Sequence, residues 1–398
     1  MDSFPTLDDA PVDGRRILVR VDFNVPVKNG GVGDDTRIRK SLPTLRELLQ
    51  RDATLVLCSH LGRPKGPQDD ARMGPVAAHL ATLLEREVRY LATPGPGSSE
   101  QRAFVAEAPR GSVTLLENTR FDPREKANDP ELASILAGYA DAFVNDAFGA
   151  AHRAHASTEG VARLLPSCAG RLLERELRVL GGLLEAPERP FVVLLGGVKV
   201  SDKIDVIRRL LEVADRLLIG GAMAFTFVKA RGGRVGDSLV EEDRLELARE
   251  LMSEAQEQNV ELLLPTDALC AREIAPDVPT AVHPVDSIPD GERGLDIGPA
   301  TVAAFEAALE DAATVLWNGP MGVFEVPPFD TGTRKVAEAL AASGAMTVIG
   351  GGDSVAAING LGLADEIGHI STGGGASLEL LEGKTLPGVA ALGSVAWA

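Results

Sequence analysis

Charged and polar side chains follow four β-branched segments in the first half of the chain, where each segment ends. The candidates are Asp22 and Asn24 after 16–21, His60 and Arg63 after 54–58, Arg120 after 113–116, and Arg153 after 142–144. Arg37 adds a cation at the start of the first predicted helix. Arginine can bind phosphate or carboxylate oxygens in bidentate fashion, and ligands bind at the carboxyl ends of parallel strands. The set therefore predicts a receptor for a phosphate or a carboxylate.

In the second half of the chain, glycines rather than charged residues directly follow the predicted strands. They occupy five predicted strand–turn–helix junctions: Gly196 and Gly197; Gly220 and Gly221; Gly319 and Gly322; Gly350, Gly351 and Gly352; and Gly373, Gly374 and Gly375. Glycine lets the backbone approach a ligand closely, and the following helix offers free N–H groups to anions. Lys199 and Lys203 follow the first junction, and Asp353 and Ser354 end the fourth. The pattern predicts a surface for nucleotide phosphates.

Each residue also has an ordinary structural explanation. A single arginine after a strand is commonly a solvated or ion-paired surface residue, and a pair of glycines is commonly a turn. Asp22 and Asp146 could simply hold neighbouring arginines, and we expect structural roles for His79 and His283. A Walker A loop is absent, because Leu378 stands where the first glycine would precede Gly383-Lys384-Thr385. Repetition over four strand ends favours the functional interpretation.

These residues need strands and helices to position them. Ten short β-branched or apolar segments alternate with helix-length segments whose apolar residues are spaced by three and four, which predicts an α/β protein with parallel sheets. The predicted strands are 16–21, 54–58, 113–116, 142–144, 191–195, 216–219, 261–264, 314–317, 347–349 and 369–371. We expect two doubly wound lobes, because ten strands are too many for one comfortable sheet. An amphipathic helix over 171–184 and the proline-rich stretch 186–190 place the break near 170–190.

Composition excludes several classes of function. The chain has 398 residues, and its 58 acidic against 40 basic side chains give a net charge of −18. Such a chain repels nucleic acid and anionic lipid, so we expect neither as a partner. No apolar run is long enough for a membrane helix, and the first residues do not resemble a signal peptide. Three widely spaced cysteines predict reduced, buried thiols and a cytoplasmic location.

Nine motifs together resemble the phosphoglycerate kinase family. They occur in the family's order and cover nearly the whole chain: VRVDFNVP (19–26), SHLGRP (59–64), LLENTRF (115–121), NDAFGAAHRAH (145–155), GGVKVSDK (196–203), GGAMAFTF (220–227), WNGPMGVFE (317–325), GGGDS (350–354) and STGGGA (371–376). Val198 stands where the family often has alanine, and Ser354 where it often has threonine. Both departures keep the required backbone or hydroxyl group.

The resemblance implies a domain organisation and a reaction. Residues 1–170, with about 380–398 returning to them, would form the phosphoglycerate-binding domain, 171–186 a connecting helix, and 187–379 the nucleotide-binding domain. The enzyme would transfer a phosphoryl group reversibly from 1,3-bisphosphoglycerate to ADP, giving 3-phosphoglycerate and ATP, as in glycolysis and gluconeogenesis. We expect it to act as a monomer whose two domains close on a hinge.

The resemblance also assigns roles to residues. The glycerate ligand would be bound by Asp22, Asn24, Arg37, His60, Arg63, Arg120 and Arg153. The nucleotide would be bound by Gly197, Lys199, Lys203, Gly220, Asn318, Gly322, Glu325, Gly350, Gly351, Gly352, Asp353 and Ser354, with Gly373, Gly374 and Gly375 forming a phosphate loop. Asp353 would hold Mg²⁺, and Arg37 and Lys199 would flank the transferring group. Two alternatives stay open: a kinase for another small carboxylate, and an inactive nucleotide-binding scaffold.

Overall fold

Two compact units make up the part of the chain, residues 4–397, that the computed structural model describes. The second unit is Val179–Lys384. The first unit consists of two segments of the chain, the described residues up to Arg178 and those from Thr385 onward. Each unit is built on its own parallel sheet.

The first unit contains a six-stranded sheet of short, largely buried strands. In chain order these are β1 (Arg16–Arg20), β2 (Thr54–Cys58), β3 (Val88–Tyr90), β4 (Val113–Leu115), β5 (Ala142–Asn145) and β6 (Ser167–Ala169). Their spatial order is β3-β4-β2-β1-β5-β6, and every neighbouring pair is parallel. Val19 of β1 lies beside Leu57 of β2 and Val144 of β5. The carboxyl ends of β1, β2 and β5 therefore lie side by side at one edge of the sheet.

Helices cover this sheet through apolar residues at helical spacing. Helix α1 buries Ile38, Leu42, Leu45 and Leu48, which lie on one face because they are spaced by three and four. Together with Val19 and other strand residues they form the unit's main apolar core. The helices are α1 (Thr36–Gln50), α2 (Gly74–Leu84), α3 (Ser99–Ala106), α4 (Pro130–Ala137) and α5 (Phe148–Ala151), and α6 (Arg171–Glu185) follows them.

The second unit repeats the architecture with a second six-stranded parallel sheet. Its strands are β7 (Phe191–Leu195), β8 (Arg216–Ile219), β9 (Glu261–Leu263), β10 (Thr314–Asn318), β11 (Met346–Gly350) and β12 (His369–Ile370), in the order β9-β8-β7-β10-β11-β12. Its helices are α7 (Ile204–Leu211), α8 (Met223–Ala230), α9 (Leu245–Glu257), α10 (Pro299–Leu309), α11 (Thr331–Ala342), α12 (Gly352–Leu361) and α13 (Gly374–Leu381). Trp317 is fully buried in the core.

Smaller elements complete the two units. A three-stranded antiparallel sheet of Ala281–Pro284, Asp267–Ala271 and Arg293–Ile297 lies in the second unit, as does the parallel pair Arg234–Val235 with Ser287–Ile288. Val27–Lys28 and Gly31–Val32 pair as a hairpin in the first unit. After Thr385 the chain forms α14 (Pro387–Ala390), where the Asn145 side chain donates to the Gly388 carbonyl over 3.0 Å.

The predicted α/β class with parallel sheets is confirmed, and all ten predicted strands occur within one or two residues of their predicted bounds. The strands Val88–Tyr90 and Ser167–Ala169 and the antiparallel sheet were not predicted. The expectation of buried reduced thiols is also confirmed, because Cys58, Cys168 and Cys270 are buried and unpaired. Among residues 4–397, no helix is both long enough and apolar enough to span a membrane.

Candidate active site

A connected cluster forms where the strands of the first unit end. Arg37 Nη1 lies 2.7 Å from Asp22 Oδ2, and His60 Nδ1 lies 3.9 Å from the other oxygen of that carboxylate. The Asn24 side chain accepts a 2.8 Å hydrogen bond from the Gly62 N–H, and Arg120 donates to the carbonyl of the same glycine. The loops after β1 and β2 are thus joined through side chains predicted to bind an anion.

Arg63 and Arg153 have more open surroundings. Both are exposed, and Arg153 Nε lies 3.0 Å from His152 Nε2. Burial lowers the pKa of Arg120, and the nearby charges of Arg153 and Arg20 lower it further. Arg120 and Arg153 therefore lie close enough to repel each other, and a bound anion would relieve that repulsion.

Asp22 and His60 differ in charge at neutral pH. Burial alone would raise the pKa of Asp22, whereas nearby His60, Arg37 and Arg20 lower it, and together they hold it below its ordinary value. Burial lowers the pKa of His60 to about 3, with Arg20 and Arg120 acting in the same direction. The cluster therefore combines an ionised carboxylate and a neutral imidazole with several guanidinium groups.

Three buried residues behind this cluster were not predicted. Arg20 is 1% exposed, its Nε donates to Ser157 Oγ over 2.8 Å, and its Nη2 lies 3.2 Å from His60 Nδ1. Ser157 in turn donates to buried Glu125, over 2.5 Å from its hydroxyl and 3.0 Å from its backbone N–H. Arg20 interrupts the apolar run of residues 17–19 and Val21, and this interruption was the sequence signal that could have indicated it.

Other predictions on single residues have mixed outcomes. Asp22 does hold an arginine, whereas Asp146 accepts hydrogen bonds from the Thr44 hydroxyl and the Leu172 N–H, at 2.8 and 2.9 Å. The contacts of His79 and His283 fit the expected structural roles: their Nε2 atoms each lie 2.8 Å from a carboxylate oxygen, of Asp35 and Glu292 respectively.

In the second unit, a cleft of about 460 Å³ opens at the carboxyl ends of the strands. Its wall combines glycine-rich turns with apolar side chains such as Phe225, Leu295 and Val323. Of the predicted nucleotide residues, the cleft is lined by Gly197, Gly322, Glu325 and Asp353. A mostly apolar cleft bordered by glycine-rich turns suits a planar base with attached phosphates.

The glycine turns pack directly against one another. Gly221 and Gly319 have φ values of +66° and +100°. A Cβ on Gly319 would lie 2.3 Å from the Gly196 carbonyl oxygen, and one on Gly221 would lie 2.5 Å from the Gly197 nitrogen. Side chains are therefore excluded here by both backbone conformation and space. Gly220 is similarly crowded, because its Cβ would lie 2.4 Å from the Met321 sulfur.

Lys203, Asn318 and Ser354 are buried together behind these turns. Lys203 Nζ donates to the Asn318 side-chain oxygen and, over 3.3 Å, to its backbone carbonyl. Ser354 Oγ accepts a 2.6 Å hydrogen bond from the Gly319 N–H. Burial lowers the pKa of Lys203 to about 8, although Asp202 and Asp353 oppose the shift. The amide nitrogen of Asn318 is buried without a partner, so both of its N–H donors are available to a ligand.

Three predicted residues are exposed: Lys199, Glu325 and Asp353. Glu325 and Asp353 line the cleft, whereas Lys199 is not among its lining residues. Asp353 lies in the first turn of α12, whose N-cap is Gly351 rather than Asp353 itself. Gly350 and Gly351 lie against the Asn318 side chain, and Gly352 begins α12. Gly373 is the N-cap of α13, with Gly374 and Gly375 in its first turn, so that two helix N-termini offer backbone N–H groups.

One unit has a glycine-lined cleft at the end of its parallel sheet, and the other carries an arginine cluster at the end of its own sheet. These two features are typical of a phosphotransferase. A family model described as phosphoglycerate kinase matches residues 7–384. The chain therefore belongs to the phosphoglycerate kinase family, whose members transfer a phosphoryl group to and from a carboxyl acceptor.

Individual relatives agree with this assignment. The phosphoglycerate kinase of Thermus thermophilus is 59% identical over 97% of this chain and 99% of its own length. That of Dictyoglomus turgidum is 54% identical over 97% of each chain. Among solved structures, phosphoglycerate kinase from Coxiella burnetii superposes with a TM-score of 0.88 at 38% identity, covering 98% of both chains.

Proposed function

We propose that the chain catalyses reversible phosphoryl transfer from 1,3-bisphosphoglycerate to ADP, giving 3-phosphoglycerate and ATP. The connected cluster of Asp22, Asn24, Arg37, His60 and Arg120 carries the proposal, because it supplies the cationic and hydrogen-bonding groups that an acidic, hydroxylated ligand needs. Family membership supports the same reaction.

We assign the glycerate ligand to the first unit. Arg63, Arg120 and Arg153 would bind its phosphate, since guanidinium groups match phosphate oxygens in geometry and charge. Asp22, which is ionised, would accept a hydrogen bond from the ligand's hydroxyl group. Asn24 and His60 would complete the contacts, and Arg37 would meet the carboxyl end.

We assign the nucleotide to the second unit. The base would occupy the apolar part of the cleft, and Glu325 at its border would accept hydrogen bonds from the ribose hydroxyls. The phosphates would lie against the N-termini of α12 and α13, near the donors Lys199, Lys203 and Asn318. Gly373, Gly374 and Gly375 would leave room for the terminal phosphate.

Mg²⁺ is the metal that we propose to accompany the nucleotide. Mg²⁺ in phosphotransferase sites is commonly held by one or two carboxylates together with substrate phosphates and water. Asp353 fits that role, because it is an exposed carboxylate that lines the cleft at the start of α12. Bound there, the ion would neutralise phosphate charge.

The reaction needs charge compensation more than proton transfer. The carboxylate of 3-phosphoglycerate is already ionised at pH 7, so no side chain has to remove a proton from it. The difficulty is that one anion attacks another. Arg37 and Lys199 would supply positive charge to the transferring group, and the other ligand-binding residues would hold the reactants in line.

A coupled assay of the purified protein tests the proposal directly. We expect ATP formation from 1,3-bisphosphoglycerate and ADP, and no comparable rate with acetyl phosphate or carbamoyl phosphate. A higher rate with another acyl phosphate would instead support a kinase for a different small carboxylate. ADP binding without turnover on any acyl phosphate would support a nucleotide-binding scaffold.

We further propose that the enzyme is a cytoplasmic monomer. The three free, buried cysteines fit a reducing compartment. Light scattering after gel filtration should give a mass near 41.8 kDa. A mass of twice that value would contradict the monomer.

A further inference from the structure

Arg20 approaches His60 from the side of the ring that faces the interior. Its Nη2 lies 3.2 Å from His60 Nδ1, within hydrogen-bond distance. A guanidinium group has only donors, so the atom that receives this hydrogen bond must carry a lone pair rather than a proton. Within residues 4–397, no hydrogen bond reaches the other ring nitrogen, Nε2, of His60.

The orientation of Arg20 is itself fixed by its neighbours. Its Nη1 donates to the Val21 carbonyl, and its Nε donates to Ser157 Oγ over 2.8 Å. The Ser157 hydroxyl donates its single hydrogen to Glu125 over 2.5 Å. Toward Arg20 it can therefore act only as an acceptor. Arg20 and Glu125 are 1% and 0% exposed, so water does not compete for these bonds.

We infer that Arg20 is a positioning residue that holds His60 as the neutral tautomer with its proton on Nε2, so that His60 presents an N–H donor to the glycerate ligand. The inference rests on the proposed function for the identity of the ligand. His60 then adds a directed hydrogen bond to an anion that the arginines bind by charge. The tautomer of His60 is set by Arg20, on the Nδ1 side of the ring, and Arg20 need not contact the ligand.

Nitrogen NMR on full-length protein labelled with ¹⁵N-histidine tests the tautomer directly. The chain has six histidines, and the His60 signals are identified by their loss in His60→Gln. At pH 7 we expect a proton on Nε2 and none on Nδ1. A proton on Nδ1, or protons on both nitrogens, would overturn the inference without affecting the proposed reaction.

Addition of 3-phosphoglycerate to the same sample tests the contact with the ligand. We expect the Nε2 proton resonance of His60 to shift, and ADP alone to leave it in place. An unchanged resonance at saturating 3-phosphoglycerate would overturn the donor role of His60. Turnover in the coupled assay would show in that case that the proposed reaction itself stands.

The double variant Arg20→Met, Glu125→Gln tests the origin of the tautomer, because it removes both buried charges and leaves no unpaired carboxylate. We expect a mixture of tautomers and about tenfold weaker 3-phosphoglycerate binding, the loss typical of one hydrogen bond, with ADP binding unchanged. Arg16→Met on the same strand is the matched control, since that arginine donates to the Ala108 carbonyl instead. Unaltered tautomer and affinity in the double variant would contradict the role of Arg20.

A pair of His60 variants keeps the test independent of how the double variant folds. The amide of His60→Gln can donate from about the position of Nε2, whereas that of His60→Asn ends near Nδ1. We expect glutamine to retain about tenfold tighter 3-phosphoglycerate binding than asparagine. Equal affinities in the two variants would contradict a donor at Nε2.

Discussion

Lys199 and Arg37 are proposed to act on charge that develops during phosphoryl transfer. Lys199→Ala and Arg37→Ala should each lower kcat by about 10²–10³-fold, as loss of one preorganised donor does, with smaller changes in KM. Steady-state kinetics measures both parameters. Arg39→Ala is the matched control, because Arg39 lies on the same helix and pairs with Asp35. Raised KM with nearly intact kcat would restrict both residues to ground-state binding.

Arg63 and Arg153 are proposed to bind the phosphate of the glycerate ligand. Replacing either with alanine should weaken 3-phosphoglycerate binding by about 10–100-fold, the range for a lost charge-assisted hydrogen bond. ADP affinity should hardly change. Calorimetric titration measures both affinities, with Arg163→Ala as control because that arginine pairs with Glu159 on the surface. Equal losses for both ligands would argue against separate sites.

Asp353 is proposed to hold Mg²⁺ with the nucleotide. Asp353→Asn removes the negative charge and should depress turnover by about 10²-fold or more, with part of the loss recovered at high Mg²⁺. The assay is a Mg²⁺ titration of kcat in wild type and variant. Because Gly351 is the N-cap of α12, loss of a helix cap does not offer a rival explanation. Wild-type kcat at ordinary Mg²⁺ would remove the metal role.

At the level of elements, the packed glycine turns after β7, β8 and β10 should be sensitive to any side chain. Gly319→Ala places a Cβ 2.3 Å from a carbonyl oxygen at a φ of +100°, so we expect a loss of about 1–3 kcal/mol in the free energy of unfolding. Denaturant unfolding measures it. Gly344→Ala is the control, since a Cβ there meets nothing within 4 Å. Equal stability of the two variants would contradict the crowding.

Elements differed in how far the sequence could predict them. Buried parallel strands such as Phe191–Leu195 are continuous apolar runs, so their bounds followed from composition alone. Ser167–Ala169 has three small residues and obtains its strand conformation from pairing with β5. The strand Arg293–Ile297 contains Gly294 and Asp296, which weaken any strand pattern, and the antiparallel sheet was missed for that reason.

The candidate site was predictable only at its surface. Asp22 and His60 follow strand ends and Arg37 begins a helix, and these positions in a parallel α/β unit are enough to predict that the three side chains meet. Ser157 contacts Arg20, and Glu125 contacts Ser157, only through the tertiary fold; Arg20 and Ser157 are 137 residues apart in the chain. No local sequence pattern predicts such a contact, because elements far apart in the chain determine which side chains are buried and which residues pair.

Over the whole molecule, two buried carboxyls should make stability depend on pH. Burial raises the pKa of Asp146 to about 7 and that of Asp296 to about 8, from an ordinary value of 3.8. The folded state therefore holds protons that the unfolded state has already released. Their stabilising contribution is complete below about pH 4 and is lost as pH rises through 7 and 8, by at most about 1.4 kcal/mol per pH unit for each group.

Unfolding by denaturant at a series of pH values measures this dependence. We expect the free energy of unfolding to fall most clearly from about pH 6.5 to pH 8, because at lower pH the buried neutral imidazole of His60 offsets part of the carboxyl contribution. Asp146→Asn with Asp296→Asn should flatten the curve, because an amide does not titrate. Asp215→Asn is the control, because the Asp215 carboxylate pairs with Arg189 near the surface. A wild-type slope that persists in the double variant would assign the effect to other groups.

The burial of all three cysteines makes the unmodified chain a convenient background for spectroscopy. Burial raises the pKa of each thiol to about 12, so thiolate is scarce at neutral pH and the sulfur atoms are shielded from reagents. A cysteine introduced at an exposed position, such as Ala342 at the end of α11 or Gly344 just after it, would react selectively with a maleimide dye or a spin label. Pairs of such labels would report distances in solution without prior removal of any native cysteine.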